Sequence, residues 1–422
     1  MYRPWQSRDA LAVGYRQEGN KNAMRERCTS PILAINGGSS SIKFAIFQGD
    51  VSLSRSLYGK IDRIGLKGTS FEFNDLDNRQ QVSRVSEATS FGAVTKFLIE
   101  WLDEQAGLPA IAAIGHRVVH GMQHTAPELI TQELIDDLRR IIPCDPQHLP
   151  SEIGLIEAFR DHFPKLPQFA CFDTGFHSTM PRVAKLLSIP RRFDRLGIQR
   201  YGFHGLSYEY LMRELGRIED VASTHGCVIL AHLGNGASLA AVHDGKCIDT
   251  TMGFTPAAGL PMSCRSGDLD PGLVGYLART ENMTLADFDQ MVHHESGLLG
   301  LSETSSDIRD LVSRESNDIR AKEAVELFCY QTKKWIGAFV AALGGLQTLV
   351  FTGGVGENAP SVRFRICEGL SCLGIEIDNA NNVANAEVIS SPSSSVTVRV
   401  IRTDEEQMIA HTVDRMMRPN RK

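Results

Sequence analysis

The sequence has little that would tie it to nucleic acid, to a membrane or to an oxidising compartment. Its net charge is −6, with no basic stripe, which argues against a nucleic-acid partner. Nine cysteines, an odd number, are scattered with no C-x-x-C pair and no His-rich partner. Neither a disulfide framework nor a zinc site is supported, and a reduced cytoplasmic setting is the simplest expectation. The one membrane-like run, Trp335 to Phe351, is shorter than the ~20 residues a span needs and contains two adjacent glycines with Gln347 and Thr348. It predicts a core helix followed by a buried strand, and no membrane partner. Residues 1–30 are polar, carry several arginines and lack the apolar run of a signal peptide. They are expected to be a mobile extension or an over-long start, with Met24 as an alternative beginning.

What is present is enough chain for two domains, since 422 residues exceeds the ~100–200 of a usual single one. Ile32 to Asp50, ILAINGGSSSIKFAIFQGD, reads as a strand, a Gly/Ser turn, a second strand and a Gly-Asp turn. Gly37 and Gly38 allow close backbone approach to a ligand, Ser39, Ser40 and Ser41 offer hydroxyls and N–H donors, and Lys43 adds a positive charge. By composition this is a phosphate-gripping hairpin, although an ordinary Ser/Gly turn has the same makeup. A second copy, ILAHLGNGASLAAVHDG from Ile229 to Gly245, places Ser238 at the offset of Ser41 and closes on a similar Asp/Gly turn. One hairpin repeated half a chain apart predicts two similar domains facing each other across a nucleotide cleft.

Other segments place chemistry near predicted strand ends. Phe91 to Leu102 has the apolar spacing of a packing helix. Ala112 to Val119 reads as a strand ending in His116-Arg117-Val118-Val119-His120-Gly121, either an anion site or a surface salt bridge, the second being the simpler reading. His148 is held between Pro146 and Pro150, and strand Phe169 to Phe172 delivers Asp173, a ligand group or a turn cap. Arg200 to Ser207 concentrates Arg, aromatics and His204, and the long loop Met252 to Pro271 offers Arg265 and Asp268. Lys322 to Leu343 has a helical pattern, leading to strand Leu346 to Phe351 and the glycine-rich turn Gly353 to Asn358. Val396 to Ile401 is a strand, and Thr403 with Glu406 has the spacing of a capping box at the start of a C-terminal helix.

From Ile32 to the C-terminal helix the chain resembles the acetate kinase family. The resemblance rests on Asn36-x-Gly38-Ser39-Ser40-Ser41-x-Lys43, His232-x-Gly234-x-Gly236-x-Ser238, the Arg117 block, Phe172-Asp173-Thr174 and Tyr201-Gly202-Phe203-His204-Gly205. It continues through Arg265-Ser266-Gly267-Asp268, Ser305-Ser306-Asp307-Ile308-Arg309 and Gly354-x-Gly356-Glu357-Asn358. It implies an α/β protein of two duplicated ribonuclease H-like, actin-like ATPase domains with the nucleotide cleft between them. The expected boundaries are 31–177 and 178–405, with a last helix, 406–422, returning to the first domain. It further implies a homodimer that transfers phosphoryl between ATP and a small carboxylic acid, giving an acyl phosphate and ADP. By the same resemblance Arg117 and Arg265 hold the acid and the phosphoryl oxygens, and His204 touches the phosphoryl group. His148 and His232 line the site. Asp173, Glu405 and Asn36 organise Mg²⁺, with Mn²⁺ as an alternative. Asn36, Ser39, Ser41, Lys43, Asn235 and Gly236 lie along the phosphates. Asp307, Arg309, Gly354, Gly356 and Asn358 border the adenosine.

A carboxylate is already a competent nucleophile at neutral pH, so catalysis of this kind rests on positioning and on neutralising the transferring group. Arginine suits that task because its planar fork binds carboxylate or phosphate bidentately. Val119, Phe203 and Pro256 match the family's apolar acyl pocket. Four positions depart from its usual pattern: Gln147 stands where Leu is usual, Leu149 where Asn is, Cys264 where Thr is, and Tyr208 where His is. These changes leave phosphoryl transfer intact and bear on which acid is accepted. Propionate or butyrate kinase is therefore the nearest alternative, followed by an actin-like nucleotide switch without kinase activity. A sugar kinase would need an Asp base, and no sugar-binding loop is recognisable.

Overall fold

The computed structural model describes residues 31–38, 40–49, 53–65, 68–76, 80–85, 90–104, 111–218 and 226–418. The N-terminal extension 1–30, Ser39, Asp50 and the last four residues of 406–422 lie outside this set.

The first hairpin is β1 (Ile32–Gly37) and β2 (Ser41–Gln48), paired antiparallel with Asn36 opposite Lys43 and Gly37 opposite Ile42. Every residue of β1 is buried, as expected of a strand covered on both faces. Strands β3 (Ser54–Asp62), β4 (Ser70–Asp75) and β5 (Gln80–Val85) extend this edge antiparallel. On the other side β1 pairs parallel with β6 (Ala113–Val118). The short β7 (Glu128–Leu129) closes the far edge beside β8 (Gln168–Phe172), which runs parallel to β6. The resulting order is β5-β4-β3-β2-β1-β6-β8-β7.

The second sheet repeats its centre. Strands β9 (Cys227–Leu233), β10 (Ala237–His243) and β11 (Lys246–Thr250) form an antiparallel meander, and β9 continues parallel into β12 (Thr348–Thr352) and β13 (Thr397–Val400). Its order, β11-β10-β9-β12-β13, matches β3-β2-β1-β6-β8 strand for strand and in direction. The duplication read from two hairpins therefore extends over five strands. Within it the turns differ: Gly37 pairs with Ile42, whereas Leu233 pairs with Ala237, so the second turn is one residue shorter. Counted from the turn, Ser238, which faces His232, occupies the place of Lys43, which faces Asn36. The equivalence of Ser41 and Ser238 expected from the ungapped repeat is corrected accordingly.

Helices cover both sheets. Phe91–Glu104 buries Val94, Leu98, Ile99 and Leu102, and its Trp101 packs edge-on and tilted among Phe44, Phe71 and Phe73 at 4.6–5.6 Å. Ile319–Leu343 begins where Asp318 accepts the Arg320 N–H and ends at Gly344 in the left-handed region, φ 76°. Its buried stripe Ala321, Ala324, Val325, Phe328, Thr332, Ile336 and Phe339 has the spacing of one helical face. The membrane-like run is therefore the end of this helix and strand β12, and among the described residues no helix is long and apolar enough to cross a membrane.

The C-terminal helix Glu405–Met417 packs Met408, Ile409, Ala410 and Val413 onto Ile32, Ala34, Ala45 and Phe47 of the first sheet. Its cap is not the expected Thr403–Glu406 box. Asp404 accepts the Gln407 N–H instead, because the Thr403 hydroxyl is bonded to Ser207 and the Glu406 carboxylate to Asn36.

Candidate active site

Arg117 sits next to last in β6 and is anchored. Its Nε and Nη2 donate to Asp173 Oδ2 at 2.9 and 2.7 Å, and its Nη1 to the Gly37 carbonyl at 2.9 Å and to Glu152 Oε1 at 3.3 Å. Asp173 and Glu152 side chains are each 1% exposed. The simpler reading of this segment as a surface salt bridge is therefore overturned, since the arginine joins two buried carboxylates. Burial would lower the guanidinium pKa, but Asp173 and Glu152 outweigh it and raise the value. The neighbouring His116 and His120 are core residues, each pushed down to about 4 by burial.

Arg265 lies in a segment, 251–271, without helix or strand, and its surroundings are the reverse. Its Nη1 donates to the Pro256 carbonyl at 3.3 Å and approaches Met262 Sδ at 3.8 Å. Among the described residues no carboxylate forms an ion pair with it. Burial consequently lowers its pKa, with only Cys264 and Asp145 opposing.

His204 stands between the two arginines with strained backbone, φ 60°, just before helix Gly205–Ile218. Gly205 is required here, because a Cβ would fall 2.2 Å from the Asp173 carbonyl oxygen, which accepts its N–H at 2.9 Å. The His204 ring stacks on His232 at 4.2 Å, and its Nδ1 meets Ser238 Oγ at 2.8 Å. Ser238 Oγ also meets the hydroxyl of Tyr208. Tyr208, Ser238 and His204 Nδ1 thus form one hydrogen-bonded chain, which leaves His204 Nε2 outside it. That atom would lie 3.0 Å from a Cβ at Gly236, and Arg265 Nη1 would lie 3.7 Å from it. Burial, then His232, Arg117 and Arg265, hold His204 well below the usual histidine range. The ring is thereby favoured in its neutral form.

His148 caps helix Leu149–His162, and its Nδ1 bonds Asp145 Oδ1 at 2.8 Å. Burial first, with Arg265 and Arg117 adding, lowers its pKa against the pull of Asp145. His148 and His204 thus each lie within electrostatic reach of both arginines. Val119, Phe203 and Pro256 are buried, and the Pro256 carbonyl accepts from Arg265. Gln147 is turned across the cleft, where its Oε1 accepts from His294 Nε2 at 3.0 Å.

Asn36 donates to Glu405 Oε2 and Glu406 Oε1, both at 2.8 Å. Against burial, Lys43, His232 and Arg117 hold Glu405 below the usual carboxylate range, while burial raises Asp173 despite Arg117, with Glu405 adding repulsion. Two buried carboxylates that repel one another and offer only oxygen fit a hard cation such as Mg²⁺. Among the described residues no three His, Cys, Asp or Glu side chains converge tightly enough to bind a metal alone.

The remaining candidates are spread along the second sheet. Asn235 is tied to the Arg265 segment through Ser263, whose N–H donates to the Asn235 carbonyl at 3.2 Å. His232 Nδ1 bonds Ser207 at 2.9 Å, and Ser207 bonds Thr403 at 2.8 Å. The stretch Gly353–Asn358, expected as an open turn, is a short helix after β12. Glu357 folds back to accept the Gly353 N–H at 3.0 Å, and Asn358 donates to the Gly354 carbonyl. Gly356 is buried within it, and its carbonyl accepts from the fully buried Arg363 at 2.8 Å. Asp307 and Arg309 are engaged with each other, Asp307 also capping Ile308–Arg314. Ser41 starts β2, its carbonyl accepting the Gly38 N–H at 2.7 Å.

Residues 31–411 match the profile of the acetokinase family. The acetate kinase of Methylocella silvestris is 40% identical over 400 residues, covering 90% of this chain and 97% of that protein. The acetate kinase of Rhodopseudomonas palustris is 41% identical over 391 residues, covering 91% and 98%. Among solved structures, the acetate kinase of Porphyromonas gingivalis superposes with a TM-score of 0.80 at 35% identity, covering 92% and 99%. A propionate kinase from Francisella tularensis superposes with a TM-score of 0.84 at 36% identity, covering 91% and 98%. The protein is therefore a two-domain α/β chain that belongs to the acetokinase family.

Proposed function

We propose that this protein is an acetate kinase, transferring the γ-phosphoryl group of ATP directly and reversibly to acetate. The observation that carries the reading is that Arg117, in the first sheet, and Arg265, in the irregular segment after β11, both act electrostatically on His148 and His204, with Arg265 Nη1 and His204 Nε2 flanking Gly236. The acid's carboxylate oxygen attacks phosphorus, the bond to the ADP oxygen breaks, and no protein base is needed. Arg265, with its fork unpaired, binds the acid or the equatorial phosphoryl oxygens. His204 Nε2–H donates to the same group. Arg117 contributes its positive charge from a fixed position. Val119, Phe203 and Pro256 enclose the methyl group.

Along the nucleotide, Asn36, Ser39, Ser41, Lys43, His232, Asn235 and Gly236 follow the phosphates. Gly354, Gly356, Asn358, Asp307 and Arg309 border the adenosine. Asp173 and Glu405, with Asn36 orienting Glu405, would hold Mg²⁺ (or Mn²⁺), which when bound neutralises phosphate charge. The working units are 31–177 with the returning helix, and 178–405. A cytoplasmic homodimer fits the family. Helix Gly272–Thr280 buries none of its residues and exposes Tyr276 at 57%, with Leu285 at 79% shortly after.

A longer acid is the second reading. The amide of Gln147 is satisfied by His294, so it need not oppose an apolar acyl group. Acyl-phosphate formation from MgATP with acetate, propionate and butyrate, trapped with hydroxylamine, decides between them. The highest kcat/KM is expected for acetate. Preference for a longer acid transfers the assignment, and no product with any acid removes the kinase reading.

A further inference from the structure

We propose that Glu152 is a positioning residue for the acid-binding half of the site, holding the Arg117 guanidinium and the Val119 main chain as one unit. The inference rests on the reading above, in which the acid lies between Arg117 and the wall formed by Val119 and Phe203.

Glu152 is on the buried stripe of helix Leu149–His162, with Leu149, Ile153, Ile156 and Phe159. Its Oε2 accepts the Val119 N–H at 2.9 Å, the first N–H beyond the end of β6. Its Oε1 accepts from Arg117 Nη1 at 3.3 Å. A single carboxylate thus reaches both the charged group and the apolar wall assigned to the acid.

An arginine has five N–H donors. In Arg117, Nε–H and one Nη2–H go to Asp173, and the two on Nη1 go to Gly37 and Glu152. One Nη2–H remains. Held by Asp173 alone, the guanidinium could pivot about its Nε–Nη2 edge, and the Nη1 contacts to Gly37 and Glu152 prevent this. The remaining donor therefore keeps a fixed direction relative to Val119.

A purely structural role explains Glu152 poorly. Burial pushes its carboxyl up to about 8, Arg117 and the Val119 N–H offset only part of this, and Asp145 and Asp173 add repulsion. A buried acid with one long ion pair stabilises a fold little, and an apolar side chain on the same stripe would pack at less cost. What the carboxylate adds is the shared geometry of its two partners.

The test is steady-state kinetics, at a pH above 8 where Glu152 is ionised, of the full chain carrying Glu152→Gln or Glu152→Ala, varying acetate and MgATP separately, with thermal melts and Val119→Ala in parallel. Glutamine keeps one acceptor and cannot serve both donors. It is expected to raise the KM for acetate about tenfold, the scale of one hydrogen bond to a charged group, and to leave the KM for ATP within about twofold. Alanine should raise the acetate KM further and lower kcat; if it does not fold, the glutamine variant decides. An unchanged acetate KM in folded Glu152→Gln, or equal rises in both KM values, overturns the proposal. If Val119→Ala alters acid preference while Glu152→Gln does not, only the role of Glu152 falls. If neither alters it, the placement of the acid falls as well.

Discussion

The two arginines of the site sit in opposite surroundings. Arg117, on a strand of the first sheet, donates to two buried carboxylates and a carbonyl. Arg265, in an irregular segment of the second domain, touches one carbonyl and one thioether sulfur. A guanidinium already saturated by its own protein supplies a fixed field and one directed donor. One left unpaired in a buried place pays for its desolvation only when an anion arrives. On the proposed function the contrast assigns two roles: the first-domain arginine as part of the scaffold, and the second-domain arginine as the anion receptor.

The largest expected effect tests whether both are needed. Arg117→Ala and Arg265→Ala should each slow acyl-phosphate formation by ~10³-fold, the scale of an arginine finger. Near-wild-type turnover in either would break the comparison at its root. Gly236→Ala sharpens it from the second domain, because the new Cβ would lie 3.0 Å from His204 Nε2 and 3.7 Å from Arg265 Nη1. Displacing the His204 ring should cost on the order of 10²-fold in kcat/KM with little change in melting temperature. Ser238→Ala removes the hydroxyl that meets both Tyr208 and His204 Nδ1 and so bears on the His204 tautomer. A loss of about tenfold in kcat is expected, and full activity would show that the tautomer is set elsewhere.

A further comparison is the pH dependence of stability. Folded Glu152 keeps its proton up to about 8, whereas its ordinary value is 4.5. Between these values the folded state binds more protons than the unfolded one, so this group's contribution to stability falls as pH rises and levels off above about 8. Glu152→Gln should flatten that part of the stability profile. An identical profile in the variant would mean that Glu152 is ionised throughout.

The sequence made the organisation legible where patterns repeat or run unbroken. The two hairpins, the helix ending at Leu343 and strands β6, β8, β12 and β13 stand near their expected positions because buried runs and flanking glycines mark them. Strands β3 to β5 carried no such mark. Their residues are largely polar, and β3 alternates around Gly59, where a Cβ would collide with Phe44 at 2.4 Å. The capping box failed because local spacing says nothing of distant partners: Asn36 and Ser207, far away in sequence, claim the Glu406 and Thr403 side chains.

At the site, Arg117, Asp173 and His204 were legible as residue types near strand ends, but not their pairing, which depends on tertiary burial. Glu152 was missed altogether. Its one sequence mark was an acid on an otherwise apolar helical stripe, three residues after Leu149 and one before Ile153. Tyr208, a departure from the family's usual residue, became intelligible only when its hydroxyl was seen on Ser238.

The contrast between scaffold and receptor is tested most directly by the unfolding free energies of Arg117→Ala and Arg265→Ala, measured in denaturant beside the parent protein. Removing Arg117 leaves Asp173 and Glu152 buried without their cation and should cost ~3 kcal/mol. Removing Arg265 orphans no paired carboxylate and should leave stability unchanged or slightly raised. Equal losses in the two variants, or a greater loss for Arg265→Ala, would contradict the assignment.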